Sequence, residues 1–380
     1  MTHQRIDGTV AAGYEAAADA FQTVVEADGA PLDAQVAAYR DGECVLDLWT
    51  GPEARRDSLF GIYSASKGVT HLIVAMLVQE GVLDLDLPVT TWWPEFGVAG
   101  KDRVLLRQLL AHQAGLVGTP DGFTLDELSD DRHVARVLAS RMPWWRPGAA
   151  SGYHALVVGA LTGEVVRRAT GRTVQDLVAE RFTTGLAVDV HLGLPDAEEP
   201  RFLAAQPMIV TAERRRALDA AATGPSSLAG VAFNRGPRGG TEVWELPNHA
   251  IVRRRGTASL GGIGSARGLA ALYAHAATGA DGRPPLLTQT TLDTFGQIQS
   301  VGTDLVLRGP KAWAVGFHAV SEQYPMLAAG AFGHSGAGGQ QALVDPRRGL
   351  SYAFLRRRGA LSDETDAGHR SILAALTAVG

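Results

Sequence analysis

Apolar and polar positions alternate over residues 35–39 and again over 43–49, on either side of Asp41-Gly42. Alternation at period two around an Asp-Gly step predicts an antiparallel hairpin. The far end of the chain repeats the pattern: alternating runs at 341–345 and 350–356 flank a turn at 346–349. The Ala-rich stretch 9–27 and the segment 365–378 predict helices. Each terminus thus offers a helix plus antiparallel strands. The simplest assembly is one antiparallel sheet built from both ends and flanked by the terminal helices.

The middle of the chain has a different rhythm. Residues 67–80, 104–112, 131–140, 154–170 and 173–183 carry helical spacing, with Gly, Pro and Asp between them. This predicts an α/β (α+β) protein with a helical subdomain inserted into the sheet. Residues 196–258 show little periodicity and read as an irregular lid. The expected organisation is a single catalytic domain over 1–380. Its sheet part spans about 1–62 and 259–380, its helical part about 63–195, and its lid 196–258. No internal repeat is present.

Composition narrows the class. Hydrophobic residues make up 46% and charged residues 20% of 380 positions, which suits a globular protein with a full core. The formal charge of −5 disfavours nucleic acid or an anionic membrane as main partner. Cys44 is the only cysteine, so no intrachain disulfide is expected. The N-terminal stretch has no apolar signal-peptide core, and the longest apolar run, Leu72 to Val78, is far below the ~20 residues that span a bilayer. A cytoplasmic protein without a membrane span is expected. The histidines show no metal-ligand spacing, so neither metal nor cofactor is expected. The oligomeric state leaves no trace in the pattern.

Only three of the 35 basic residues are lysine: Lys67, Lys101 and Lys311. Lysine loses its proton when buried, and arginine effectively does not. Lys67 stands three residues after Ser64, just before the apolar run His71–Val78. That run is apolar nearly all round and predicts a buried helix. Ser64 then sits at its first turn, with Lys67 on the same face one turn on. Burial and the positive end of the helix dipole both favour a neutral amine there. A neutral amine can take the proton that makes a serine hydroxyl nucleophilic. The same string also suits a helix cap with a solvated lysine.

The chain resembles the serine hydrolases of the β-lactamase and penicillin-binding-protein fold, closest to family VIII carboxylesterases, which are similar to class C β-lactamases. The landmarks are Ser64-Ala65-Ser66-Lys67, Leu109-Leu110-Ala111-His112-Gln113-Ala114-Gly115-Leu116, Pro147-Gly148 leading to Tyr153-His154-Ala155, and Gly333-His334-Ser335-Gly336-Ala337-Gly338-Gly339. The resemblance spans roughly 30–375. It implies an acyl-enzyme on Ser64, Lys67 as base assisted by Tyr153, and an oxyanion hole from the N–H groups of Ser64 and Ala337. It also implies a small-molecule ester as substrate. His334 would hydrogen-bond Tyr153 or the substrate. Ser335, Gly336 and Gly338 would border the bound ester, and Trp144 and Trp145 are candidates for a pocket wall. Two departures matter: Ala155 replaces the asparagine of Tyr-x-Asn, and Lys-Thr-Gly is missing. A substrate carboxylate therefore lacks its usual anchor, which points to an ester without one and to weak β-lactam hydrolysis at most. An acyltransferase using the same acyl-enzyme, or a non-catalytic sensor on this fold, are the alternatives.

Two other strings are set aside. Gly333-His334-Ser335-Gly336-Ala337 approaches a Gly-x-Ser-x-Gly elbow, but no helix pattern follows the serine. Gly262 to Gly268 lacks the Gly-Lys-Ser/Thr of a phosphate loop and reads instead as a helix N-terminus packed under the site.

Overall fold

The strands of both termini do form one sheet. The computed structural model describes residues 4–379. Its N-terminal strands are β1 (Ile6–Val10), β2 (Ala34–Arg40) and β3 (Glu43–Thr50). A small second sheet contains β4 (Phe60–Gly61), β5 (Val190–Leu192) and β6 (Gly262–Gly264). The remaining strands are β7 (Ser300–Thr303), β8 (Pro310–Trp313), β9 (His318–Ala319), β10 (Phe332–Ser335), β11 (Gln341–Asp345) and β12 (Leu350–Arg356). The large sheet runs β1-β3-β2-β12-β11-β10-β9-β8-β7 and is antiparallel throughout. The Asp41-Gly42 turn has φ of 49° and 85°, the left-handed pair that a two-residue hairpin requires. β2 and β12 are neighbours, in register from Ala34↔Arg356 to Arg40↔Leu350. The sheet therefore closes only when the last strand meets the first hairpin.

The terminal helices Glu15–Glu26 and Ser362–Thr377 pack together on one face, where Phe21 and Val25 share a core with Phe354, Ile372, Leu373 and Leu376. The helix Ala266–Ala277 lies on the other face, against β2, β11 and β12. Its N-cap is Ser265, whose hydroxyl accepts the Gly268 N–H. Beyond it lie the buried helix Ala65–Gln79 and the helices Asp131–Ala139 and Val158–Thr170.

Four details differ from the sequence pattern. The expected helix at 9–27 yields its first residues to β1, which pairs with β3, and Gly13 at φ 92° ends the extended stretch. The helix expected from 154 begins at Val158, because the backbone before it is held by side chains of the site. The 173–183 segment divides into the helix Val174–Val178 and a wider π turn, Ala179–Thr184. The lid region is less irregular than its sequence suggests, with short helices at Ala212–Ala221, Leu228–Ala232 and Ala250–Arg255. Among the described residues no helix is long and apolar enough to cross a membrane.

Candidate active site

Helix Ala65–Gln79 is nearly all buried, so its first turn is pinned inside the molecule. Ser64 occupies the N-cap, yet its hydroxyl caps nothing. It lies 2.9 Å from Lys67 Nζ instead. The residue before it, Tyr63, is held at φ 47°, a strained value for a non-glycine residue. The Tyr63 hydroxyl is tied down by donating to the Trp244 carbonyl at 2.8 Å.

Lys67 has no exposed surface. Its Nζ is 2.6 Å from the Ala155 carbonyl and 2.8 Å from the Ser259 carbonyl. Burial without a counter-ion holds its pKa well below the usual lysine value. Tyr153 is buried too and hydrogen-bonds the Ser64 side chain. Burial pushes its phenol pKa up, so the group stays protonated, and the bond to Ser64 only partly offsets this. The Tyr153 ring stacks on Trp313, centroids 5.3 Å apart and planes at 15°, and lies 5.0 Å from Lys67 Nζ.

The stretch before Val158 is irregular because it is held from outside. The His112 carbonyl accepts the Gly152 N–H at 3.1 Å, and His112 Nδ1 accepts the His154 N–H at 3.1 Å. Asp304, fully buried, accepts the Tyr153 N–H at 3.1 Å and the Trp313 Nε1–H at 3.1 Å. His154 donates through Nδ1 to the Gly152 carbonyl and accepts the Leu116 N–H at Nε2, so it is neutral by its bonding. Together these bonds set the position of Tyr153. The Leu109–Leu116 landmark thus has a structural task, and Asp304 has one that no local string announces.

The fourth landmark runs from β10 into a glycine turn. Gly336 N–H donates to the Gln340 carbonyl, and Gly338 N–H donates to Gln340 Oε1. The N–H groups of Ser64 and Ala337 make no such bond among the described residues. Ser64, Tyr153, Ser335, Gly336 and Ala337 line one cavity of about 530 Å³. Leu156, Met208, Phe233, Val243, Leu260 and Leu307 make its apolar side. Three of these, Met208, Phe233 and Val243, come from the lid stretch, where the sequence gave no periodic signal to single them out.

Other expected residues fall elsewhere. His334 is fully buried behind the cavity wall. It makes no hydrogen bond to Tyr153; the ring centroids are 6.1 Å apart, and its Nδ1 faces the Ser335 carbonyl at 2.8 Å. Its side chain points inward because Ser335, the next residue on the strand, points into the cavity. Trp144 is exposed and Trp145 packs edge-on to His154, with its Nε1–H donating to the Ala150 carbonyl. Neither tryptophan lines the cavity, and neither does Gly338, whose turn is filled by Gln340 and Tyr63.

Around Lys67 lie His71, His112, His318 and His334, all buried. Burial lowers the pKa of each, and the nearby Lys67 amine adds to this. The site is thus a cage of uncharged nitrogen groups. Among the described residues, no group of three or more His, Cys, Asp or Glu has metal-holding geometry.

Comparison with known proteins agrees with this architecture. The chain is 31% identical over 341 residues to the esterase/beta-lactamase LipL of Mycobacterium tuberculosis (strain ATCC 25618 / H37Rv), covering 85% of this chain and 76% of that protein. It is 32% identical over 182 residues to the esterase EstB of Burkholderia gladioli, covering 43% of this chain and 45% of that one. Among solved structures, EstA from Arthrobacter nitroguajacolicus Rue61a superposes with a TM-score of 0.88 at 35% identity, over 99% of this chain and 100% of the other. A family VIII carboxylesterase superposes with a TM-score of 0.85 at 28% identity, over 98% and 99%. A family model described as Beta-lactamase matches residues 18–376, and the chain belongs to the beta-lactamase family.

Proposed function

We propose that this chain is a serine carboxylesterase that works through an acyl-enzyme on Ser64. The observation that carries this reading is the hydrogen-bond count at Lys67. A neutral amine has two N–H bonds and one lone pair. The Ala155 and Ser259 carbonyls accept the two N–H bonds. The lone pair is left facing the Ser64 hydroxyl at 2.9 Å. That is the arrangement of a general base. The esterase names of LipL and EstB, and the family VIII carboxylesterase fold, support the ester as substrate.

In this scheme the ester carbonyl oxygen sits between the N–H groups of Ser64 and Ala337. As Ser64 Oγ bonds to the carbonyl carbon, its proton moves to Lys67 Nζ. The oxyanion is held by the two N–H groups, each contributing on the order of 3 kcal/mol to the transition state. The bond to the alcohol then breaks. Tyr153, protonated because it is buried, gives its proton to the leaving oxygen and takes one from the Lys67 ammonium. Water enters, loses a proton along the same path in reverse, and releases the acid from Ser64. Lys67 ends neutral and Tyr153 protonated. His334 has no step here.

Intact-mass analysis after treatment with a reactive alkyl phosphonate tests the assignment. One adduct is expected, and peptide mapping is expected to place it on Ser64. An adduct on another residue would overturn the reading. Hydrolysis of 4-nitrophenyl acetate, abolished by Ser64→Ala, is expected alongside.

A further inference from the structure

The three lysines have three different environments. Lys67 serves the site, and Lys101 donates to the Val98 and Arg141 carbonyls at 2.6 and 2.7 Å, which closes a loop. Lys311 has no such partner. It stands on β8 two residues before Trp313, so both side chains leave the same face of the sheet. Its Nζ lies 5.7 Å from the Trp313 ring centroid, and that ring stacks on Tyr153. Lys311 lines the same cavity as Ser64. Among the described residues its Nζ makes no hydrogen bond and no ion pair.

None of the groups around it is in ion-pair contact with it among the described residues. Asp304 attracts it from a distance, but its carboxylate already accepts from the backbone of Tyr153, Val306 and Leu307 and from Trp313. Asp366 attracts it too, and its Oδ1 is engaged by Gln323 at 2.7 Å and Tyr324 at 3.3 Å. His318 is neutral and lies across from Trp313 on β9. Lys311 acts electrostatically on His318 and His334, as Lys67 does, which places both amines around the same rings. Lys311 is half-buried at the cavity wall, and an anion entering the cavity would give its ammonium an ion-pair partner shielded in part from water.

We propose that Lys311 anchors a carboxylate on the substrate, so that the preferred esters carry a carboxylate a few bonds from the scissile carbonyl. This rests on the acyl-enzyme reading for the identity of the reacting bond. The missing Lys-Thr-Gly removes the cation from β10, and β8 supplies one at a different point of the same cavity. No local string marks Lys311; only its scarcity among arginines does.

Two ester pairs test the proposal. Mono-4-nitrophenyl glutarate against 4-nitrophenyl pentanoate places the carboxylate on the acyl side. 4-Acetoxybenzoate against 4-acetoxybenzamide places it on the alcohol side. For each pair the ratio of kcat/KM, anionic over neutral, is measured within one preparation, which cancels any loss of folded protein. Lys311→Met is expected to lower that ratio at least tenfold in one pair, and Lys311→Arg to retain part of it. A smaller change in both pairs, or equal loss in both variants, overturns the anchor. Calorimetric binding of mono-4-nitrophenyl glutarate to Ser64→Ala and to Ser64→Ala with Lys311→Met separates the two readings. Binding that needs Lys311 while the unaltered enzyme turns over no ester keeps the anchor and overturns the acyl-enzyme. Binding indifferent to Lys311, beside normal turnover of neutral esters, does the reverse.

Discussion

Lys67 has its two carbonyl acceptors and its hydroxyl partner in place before any substrate arrives. Arginine at this position keeps a charge that cannot be removed and a longer, planar head that does not fit. Lys67→Arg is expected to lower kcat for 4-nitrophenyl acetate by about 10²–10⁴-fold. Steady-state kinetics on a folded variant checks this, and near-normal turnover would remove Lys67 from the base role. The pH profile follows from the direction of the shift. Only the neutral amine accepts a proton, so kcat/KM is expected to rise with pH through the Lys67 pKa. Burial puts that pKa well below the ordinary lysine value, so the rise is complete before the ordinary value is reached. A profile still climbing at pH 10 would contradict this. At this scale the sequence was partly legible. Ser64 and Lys67 are readable because three residues make nearly one helical turn. Tyr153 needed the family resemblance, since nothing local ties it to them. His334 was misjudged because alternation along β10 turns it away from the cavity that Ser335 faces.

One helix crossing holds the second acceptor of Lys67 in place. Helix Val158–Thr170 approaches the 258–259 backbone so closely that a Cβ on Gly159 would lie 2.3 Å from the Ala258 carbonyl carbon and 2.4 Å from Ser259 N. The Gly159 N–H donates to Ser259 Oγ at 2.7 Å, and the Ser259 carbonyl is the one that faces Lys67. Gly159→Ala therefore pushes on backbone, which cannot move aside cheaply. An overpacked site of this kind costs about 1–3 kcal/mol. A lower urea midpoint and a fall in kcat beyond the fraction unfolded are both expected, because Ser259 moves with its segment. An unchanged midpoint and rate would show that the crossing is looser than its geometry. Elements were easier to read than their junctions. The two hairpins and the buried helix follow from period and turn chemistry. The late start of the helix at Val158 does not, because it is imposed by His112 and Asp304, residues far away in the chain.

Eight histidines of the described residues are buried, and five of them, His71, His112, His154, His318 and His334, stand around the candidate site. Burial takes His71 and His154 from 6.5 to about 4, and holds the other three well below the ordinary histidine value. The unfolded chain binds these protons near pH 6.5, and the folded chain binds them only at lower pH, near 4 for His71 and His154. Between those values the unfolded state holds more protons, so stability is full above pH 6.5 and falls as pH drops toward 4. Each histidine contributes up to about 1.4 kcal/mol per pH unit inside that window. Urea midpoints measured from pH 7.5 down to 4.5 are expected to decline steadily, and a flat series would mean that the rings are hydrated. Periodicity, turn residues and helical spacing are local properties, and they alone determined the hairpins, the helices and the Ser64–Lys67 pair. The tertiary structure decided what local spacing cannot encode. β12 lies beside β2 across more than 300 residues of chain. The burial it helps create keeps the Lys67 amine away from water and counter-ions, which holds its pKa well below the ordinary lysine value. Charge states here depend on exclusion of water, and that exclusion belongs to the assembled molecule.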